Sequence, residues 1–162
     1  MAIAYRPSTS ADLTYIRRLN YLTEVFGDES ATPDTAEFLE ASRFYVGRWD
    51  PQRGGIIAVD EDLDNPAGGA WLIFGTAECH GEGFVDPAFP ELAIAVETRY
   101  QGRGVGTELM AHALDLARSW DVPGVSLCVH VDNPGARRVY ERVGYVAVAD
   151  APSGYTTMVY RF

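Results

Sequence analysis

Three glycines at alternate positions, Gly102, Gly104 and Gly106, stand in VETRYQGRGVGTEL, after an apolar run and before a helical pattern. A glycine loop entering a helix suits phosphate. Missing side chains let main-chain N–H groups approach the ligand, and the helix start carries partial positive charge. Spacing decides which phosphate compound. A Walker loop places Lys and then Ser or Thr after its last glycine, to reach terminal phosphates. Here Gly106 is followed by Thr107 and Glu108. A dinucleotide loop needs G-x-G-x-x-G and an acid about 20 residues on. From Gly102 the order is G-x-G-x-G-T, and from Gly104 no third glycine falls in place. A plain strand–helix turn needs fewer glycines, and Gly106 falls in the first helical turn, where packing alone favours alanine.

Gln101-x-x-Gly104-x-Gly106, followed downstream by VDNPGARRVYERVGY, resembles the acyl-CoA-binding motifs of the GNAT superfamily of N-acetyltransferases. The likeness is sharp from Glu91 to Val148 and looser upstream. It implies acetyl-CoA as co-substrate, its pyrophosphate on Gln101, Gly102, Arg103, Gly104, Val105, Gly106 and Thr107. It also implies a splayed strand pair that takes the pantetheine. Main-chain groups of Ile94, Ala95 and Val96 form one side, and Asn133, Ala136 and Arg138 stand at the next helix start. Arg103 and Arg138 could meet the pyrophosphate or the 3′-phosphate; each could equally be a solvated arginine. The fold implied is α/β (α+β): a mixed, mostly antiparallel sheet of about six to seven strands flanked by about four helices.

The reaction implied is acetyl transfer to a primary amine of a small molecule or peptide, by direct attack in a ternary complex. An alkyl amine of pKa near 10.4 is neutral in only about one molecule in a thousand at physiological pH, so a base matters. Glu91, on the strand entering the site, is the first candidate; read alone it is a solvated strand end. His80 and Glu82, in the preceding loop, could overhang the acceptor pocket, whereas His112 and His130 look peripheral. Tyr140 matches the family's position for the acid that protonates the leaving thiolate, and alternatively packs in the core beside Ala136 and Val143. For the acceptor the sequence offers Tyr21, Phe26, Phe44, Trp49, Trp71, Phe74, Phe84 and Phe89, which could cup a cation. Glu24, Asp28 and Glu29 could draw a polyamine or aminoglycoside. A non-catalytic acyl-CoA-binding domain would need only the loop; Asn133 and Tyr140 together favour catalysis. The same fold could also carry a longer acyl group or use a hydroxyl acceptor.

The elements that must hold these residues follow from periodicity. IAYRP opens as a strand; Ser10 caps a helix to about Phe26. Thr32, Pro33 and Asp34 start a second helix, to about Arg43. GGIIAVDED and GGAWLIFGTAE form a hairpin around LDNPAGG, and ELAIAV is a compact strand. A helix from Val105 repeats at Leu109, Ala113, Leu116 or Ala117 and Trp120. VSLCVHV is a strand, Ala136, Val139, Tyr140 and Val143 share a helix face that Gly144 ends, and TTMVYRF closes as a strand. That strand could pair within the chain or across a homodimer. No repeat or linker breaks the pattern, so residues 1–162 read as one domain.

Composition bounds the partners. Thirteen basic against 23 acidic residues give a net charge of −10, which repels nucleic acid and mildly favours cationic small molecules. No apolar run approaches the roughly 20 residues of a membrane span. MAIAYRPSTS lacks the pattern of a signal peptide, so the expected location is cytoplasmic. Cys79 and Cys128 have no metal-ligand spacing, so no metal is expected and both thiols read as idle.

Overall fold

The computed structural model describes residues 2–162. In chain order the elements are β1 (Ile3–Pro7), α1 (Leu13–Glu24), α2 (Thr35–Tyr45), β2 (Gly55–Asp60), β3 (Asn65–Ile73), β4 (Glu91–Val96), α3 (Val105–Arg118), β5 (Gly124–His130), α4 (Pro134–Val143), β6 (Val146–Asp150) and β7 (Tyr155–Arg161). The strands form one sheet ordered β1-β2-β3-β4-β5-β7-β6. Every neighbouring pair is antiparallel except β4 and β5, which run parallel. This is the mixed, mostly antiparallel architecture with four helices that the motifs implied.

Local chemistry moves several boundaries. Thr9, not Ser10, caps the first helical segment, in a reciprocal capping box with Asp12. Arg6 then clamps the Asp12 carboxylate through two bonds of 2.8 and 2.7 Å. α1 stops at Glu24 because Phe26 and Gly27 adopt φ of 53° and 80°. Asp34, rather than Thr32, caps α2, its Oδ1 accepting from the N–H groups of Ala36 and Glu37 at 3.0 Å each. β3 begins at Asn65, so part of the expected LDNPAGG turn is strand. β6 was not expected at all. Its five residues are all exposed, so it shows no inside–outside alternation to read. The closing strand β7 lies between β5 and β6, paired along both edges within the chain.

The sheet is covered on both faces, which is why β2 and β3 read as nearly continuous apolar runs. Ile56, Ala58, Ala70, Leu72 and Leu92 pack under Leu109, Met110 and Ala113 of α3. The alternate residues Ile57, Trp71, Ile73 and Ala93 pack against Ile16 and Leu19 of α1 and Phe44 of α2. Fully burying each large aliphatic side chain contributes roughly 1.5–3 kcal/mol. Together they fix β4 against β3 along its whole length, from Gly68 opposite Val96 to Ile73 opposite Glu91.

Candidate active site

β4 is held by β3 at six successive positions but by β5 at only one, Glu91 opposite Ser126. There Ser126 N–H donates to the Pro90 carbonyl at 3.0 Å. Beyond that point β5 pairs with β7 along seven positions and leaves β4. Glu97 N–H donates to Ala67 on the β3 side at 2.9 Å. Strand alternation therefore turns the N–H groups of Leu92, Ile94 and Val96 towards the gap. The gap opens into a cleft of about 1190 Å³, with β4 residues Leu92 to Val96 on one wall and Cys128, Val129 and His130 on the other.

One end of the cleft suits an anion. Gln101, Gly102, Gly106, Asn133, Gly135 and Ala136 line it. Gly102 and Gly104 have φ of 74° and 81°, left-handed conformations that favour glycine. Gly106 does not. A Cβ there would meet only Val96 Cγ2, at an ordinary 3.6 Å, so the glycine clears space towards the cleft. The first turn of α3 follows Gly104 with no side-chain cap, leaving its amides without an intrahelical partner. Val105 is 1% exposed and faces the core, while the Thr107 side chain is exposed; neither side chain lines the cleft. Both carry first-turn N–H groups without an intrahelical partner. Arg103 is exposed beside the loop, and Arg138 Nη2 lies 3.8 Å from where a Cβ on Gly135 would sit. Asn133 Oδ1 caps α4 by accepting from Ala136 N–H at 3.4 Å, so its amide NH₂ remains as a donor. Gln101 Nε2 donates to the Val96 carbonyl at 3.4 Å.

Where β4 and β5 still pair, ionisable groups meet. Glu91 is 1% exposed, so it is no solvated strand end. Its carboxylate accepts from Gly81 N–H at 2.9 Å, Gly83 N–H at 2.9 Å and the Tyr45 hydroxyl at 3.3 Å. Burial pushes its pKa up to about 7, against the opposing pull of those donors. A Cβ on Gly81 would collide with Tyr45, and one on Gly83 would come 2.9 Å from Glu91 Oε1. The loop before β4 can therefore wrap the carboxylate only as glycine. Tyr45 and Cys128 line the cleft; Glu91 lies behind them. Burial pushes the Cys128 thiol up to about 12, so it keeps its proton at neutral pH. Tyr140 lines the cleft too, half-buried, and no described residue hydrogen-bonds its hydroxyl. Burial raises its pKa, so it keeps its proton.

Other expectations sort cleanly. His80 lines the cleft, stacked on Phe84 at 4.5 Å, and Glu82 lines it with Oε2 accepting from the Ser153 hydroxyl at 3.4 Å. His112 stacks on Tyr5, outside the cleft. His130, expected at the periphery, instead lines the cleft between Phe26 and Tyr155. Of the eight aromatic residues offered for an acceptor, only Phe26 and Phe84 line it; Phe44, Trp49, Trp71 and Phe89 are core. Glu24 lines the cleft, whereas Asp28 and Glu29 do not. Tyr45, Tyr155, Glu37 and Glu40 join it without a sequence motif. Tyr45 packs against the same core as Phe44, their ring centroids 4.8 Å apart, so its helical position gave no signal that its hydroxyl reaches the cleft.

The sequence matches the Acetyltransferase (GNAT) family over residues 19–145. No curated protein matches it by sequence. Among solved structures it is similar to SsHAT, with TM-score 0.73 and 17% identity over 99% of this chain and 98% of that one. The GNAT domain of S. lividans PAT gives TM-score 0.69 and 17% identity over 99% and 90% of the two chains. An acetyltransferase of the GNAT family from Streptococcus pneumoniae gives 0.65 and 17% over 99% and 100%. At such identities the likeness is one of fold.

Proposed function

Because the chain belongs to the GNAT acetyltransferase family, whose members use acetyl-CoA as co-substrate, we propose that it acetylates a primary amine of a small molecule or peptide by direct attack in a ternary complex. The observation that carries this reading is the parted pair β4 and β5, with an uncapped, glycine-cleared helix start at one end and a buried carboxylate where the two strands still pair. Pyrophosphate fits the first feature: the amides of residues 105–107 are free to donate, and no side chain at Gly106 blocks them. Arg103 and Arg138 stand close enough in the chain to add charge-assisted bonds.

In this reading the amine nitrogen attacks the acetyl carbon. The C–N bond forms, the C–S bond breaks, and the amine proton passes through the Tyr45 hydroxyl to Glu91. N–H groups of Ile94 and Val96 meet the carbonyl oxygen as it gains charge. Tyr140 returns a proton to the departing sulfur. Deprotonating an alkyl amine at neutral pH costs about 4 kcal/mol, and holding both reactants together supplies roughly 7–11 kcal/mol. Positioning is the larger effect, and the base removes much of what remains.

Release of free CoA across an amine panel, with calorimetry of acetyl-CoA against NAD and ATP, tests the proposal. Preference for acetyl-CoA and turnover on at least one amine are expected. No preference for acetyl-CoA would overturn it. Tight binding without turnover on any amine would leave a non-catalytic acyl-CoA-binding module. All thirteen basic residues are arginine, so no side-chain amine of the protein itself can take the acetyl group and imitate turnover.

A further inference from the structure

We infer that Tyr100 and Asp60 are positioning residues for the acyl donor. The bond between the Tyr100 hydroxyl and the Asp60 carboxylate sets where the glycine loop presents its amides to pyrophosphate. The inference rests on the acetyltransferase reading and deepens it.

The tip of the loop stands in open space: at Gly102 and Gly104 a Cβ would meet nothing within 4 Å. Thr98 and Gln101, both exposed, make long contacts of 3.4 Å to the carbonyls of Gly27 and Val96. The ends are different. Tyr100 is 2% exposed and Val105 1%, and both belong to the core beneath α3. The stretch from Gln101 to Gly104 therefore spans two buried anchors. Val105 offers apolar contact, which fixes depth better than direction. Tyr100 adds the direction.

Its hydroxyl donates to Asp60 Oδ2 at 2.7 Å, across 40 positions of the chain. Asp60 is 3% exposed and ends β2, opposite Ile3 of β1 and Asn65 of β3. Its other oxygen accepts from Asp62 N–H at 3.0 Å. The sheet thus fixes the carboxylate, and the carboxylate fixes the phenol. The same bond holds the Asp60 carboxyl below its usual range and raises Tyr100, so the phenol stays the donor. Packing alone gives no reason for the pair. Phenylalanine would fill the same space without a hydroxyl, and a buried carboxylate costs desolvation. What the pair supplies is a directed contact, right before Gln101. Phosphate binding needs one, because each donor must come within about 3 Å of the oxygen it meets.

The test measures acetyl-CoA affinity by calorimetry and S-acetylpantetheine affinity by NMR titration, because the second donor lacks the diphosphate. Tyr100→Phe should weaken acetyl-CoA binding about tenfold, the scale of a displaced contact, and leave S-acetylpantetheine binding unchanged. Asp60→Asn keeps a partner for the phenol, whose oxygen can accept from the new amide, and should stay within about twofold of wild type. Should Tyr100→Phe not fold, Asp60→Ser replaces it: the serine hydroxyl can still close the turn but is too short to reach Tyr100. The same loss, confined to acetyl-CoA, is then expected. Undiminished acetyl-CoA affinity, or equal loss with both donors, overturns the inference. So does a loss in Asp60→Asn as large as that in Tyr100→Phe or its replacement. No acetyl-CoA binding by the wild-type protein sinks the transferase reading, and the inference with it. A loss specific to acetyl-CoA, without turnover on any amine, supports the inference and leaves the binding-module reading.

Discussion

The Tyr45 hydroxyl lies 3.3 Å from Glu91 Oε1 and 3.7 Å from Cys128 Sγ, so one phenol joins a buried carboxylate to the wall of the cleft. Glu91 itself does not line that wall. If it is the base, its proton arrives through Tyr45. Tyr45→Phe should therefore lower kcat by about 10²-fold, within the usual range for general-base assistance. The Tyr45 bond also lowers the Glu91 pKa, so losing it should move the acidic limb of the pH–rate profile upward. An unchanged profile would remove Tyr45 from the path.

Glu91 gives activity and stability opposite pH trends. As a base it works deprotonated, so kcat/KM should rise through pH about 7. Its folded pKa is raised from 4.5 to about 7, so the folded protein binds this proton more tightly than the unfolded chain. Stability from this group is full below the unfolded value and is lost as pH climbs through the folded one. By about pH 8 the loss is about 3 kcal/mol. Urea melts at two pH values should show the decline in wild type and a shallower one in Glu91→Gln, because Glu24, also raised, still contributes.

Tyr140→Phe should reduce turnover by about 10-fold to 10²-fold and leave acetyl-CoA affinity alone. Stability should barely move, since its hydroxyl has no partner to lose among the described residues. Full turnover in the variant would return Tyr140 to simple packing.

Gly106→Ala should separate folding from binding. The new methyl sits in a helix turn, 3.6 Å from Val96 Cγ2, and should stabilise the protein by about 0.5 kcal/mol. It should weaken acetyl-CoA binding by about tenfold or more, as it blocks amides meant for a phosphate. Gly104→Ala, at φ 81°, should instead cost roughly 1–2 kcal/mol of stability. Thermal melts and calorimetry on the pair check both signs. Undiminished acetyl-CoA binding in Gly106→Ala would move the pyrophosphate elsewhere.

Local interactions made much of this protein legible in its sequence. The glycine spacing at 102, 104 and 106, the helical repeat after Val105 and the turn at Gly144 depend on residues a few positions apart, and they stand where expected. Compact apolar runs likewise found β4 and β5, and the apolar face of α4 found that helix although none of its residues is buried. What such patterns missed was β6, because a strand exposed on both faces has no burial pattern to betray it.

By itself the sequence determined the glycine loop before α3, through backbone conformations that only glycine adopts easily and a helix start left without a side-chain cap. The surroundings of each ionisable group were decided by tertiary structure. Glu91 read as a solvated strand end, yet Gly81, Gly83 and Tyr45, 46 residues away in the chain, enclose it. Cys128, Tyr155 and the carboxylates Glu24, Glu37 and Glu40 come from elements far apart in the chain to line the same cleft. A side chain's charge state depends on desolvation and on neighbours in space. Those neighbours come from elements far apart in sequence, so only the folded chain brings them together.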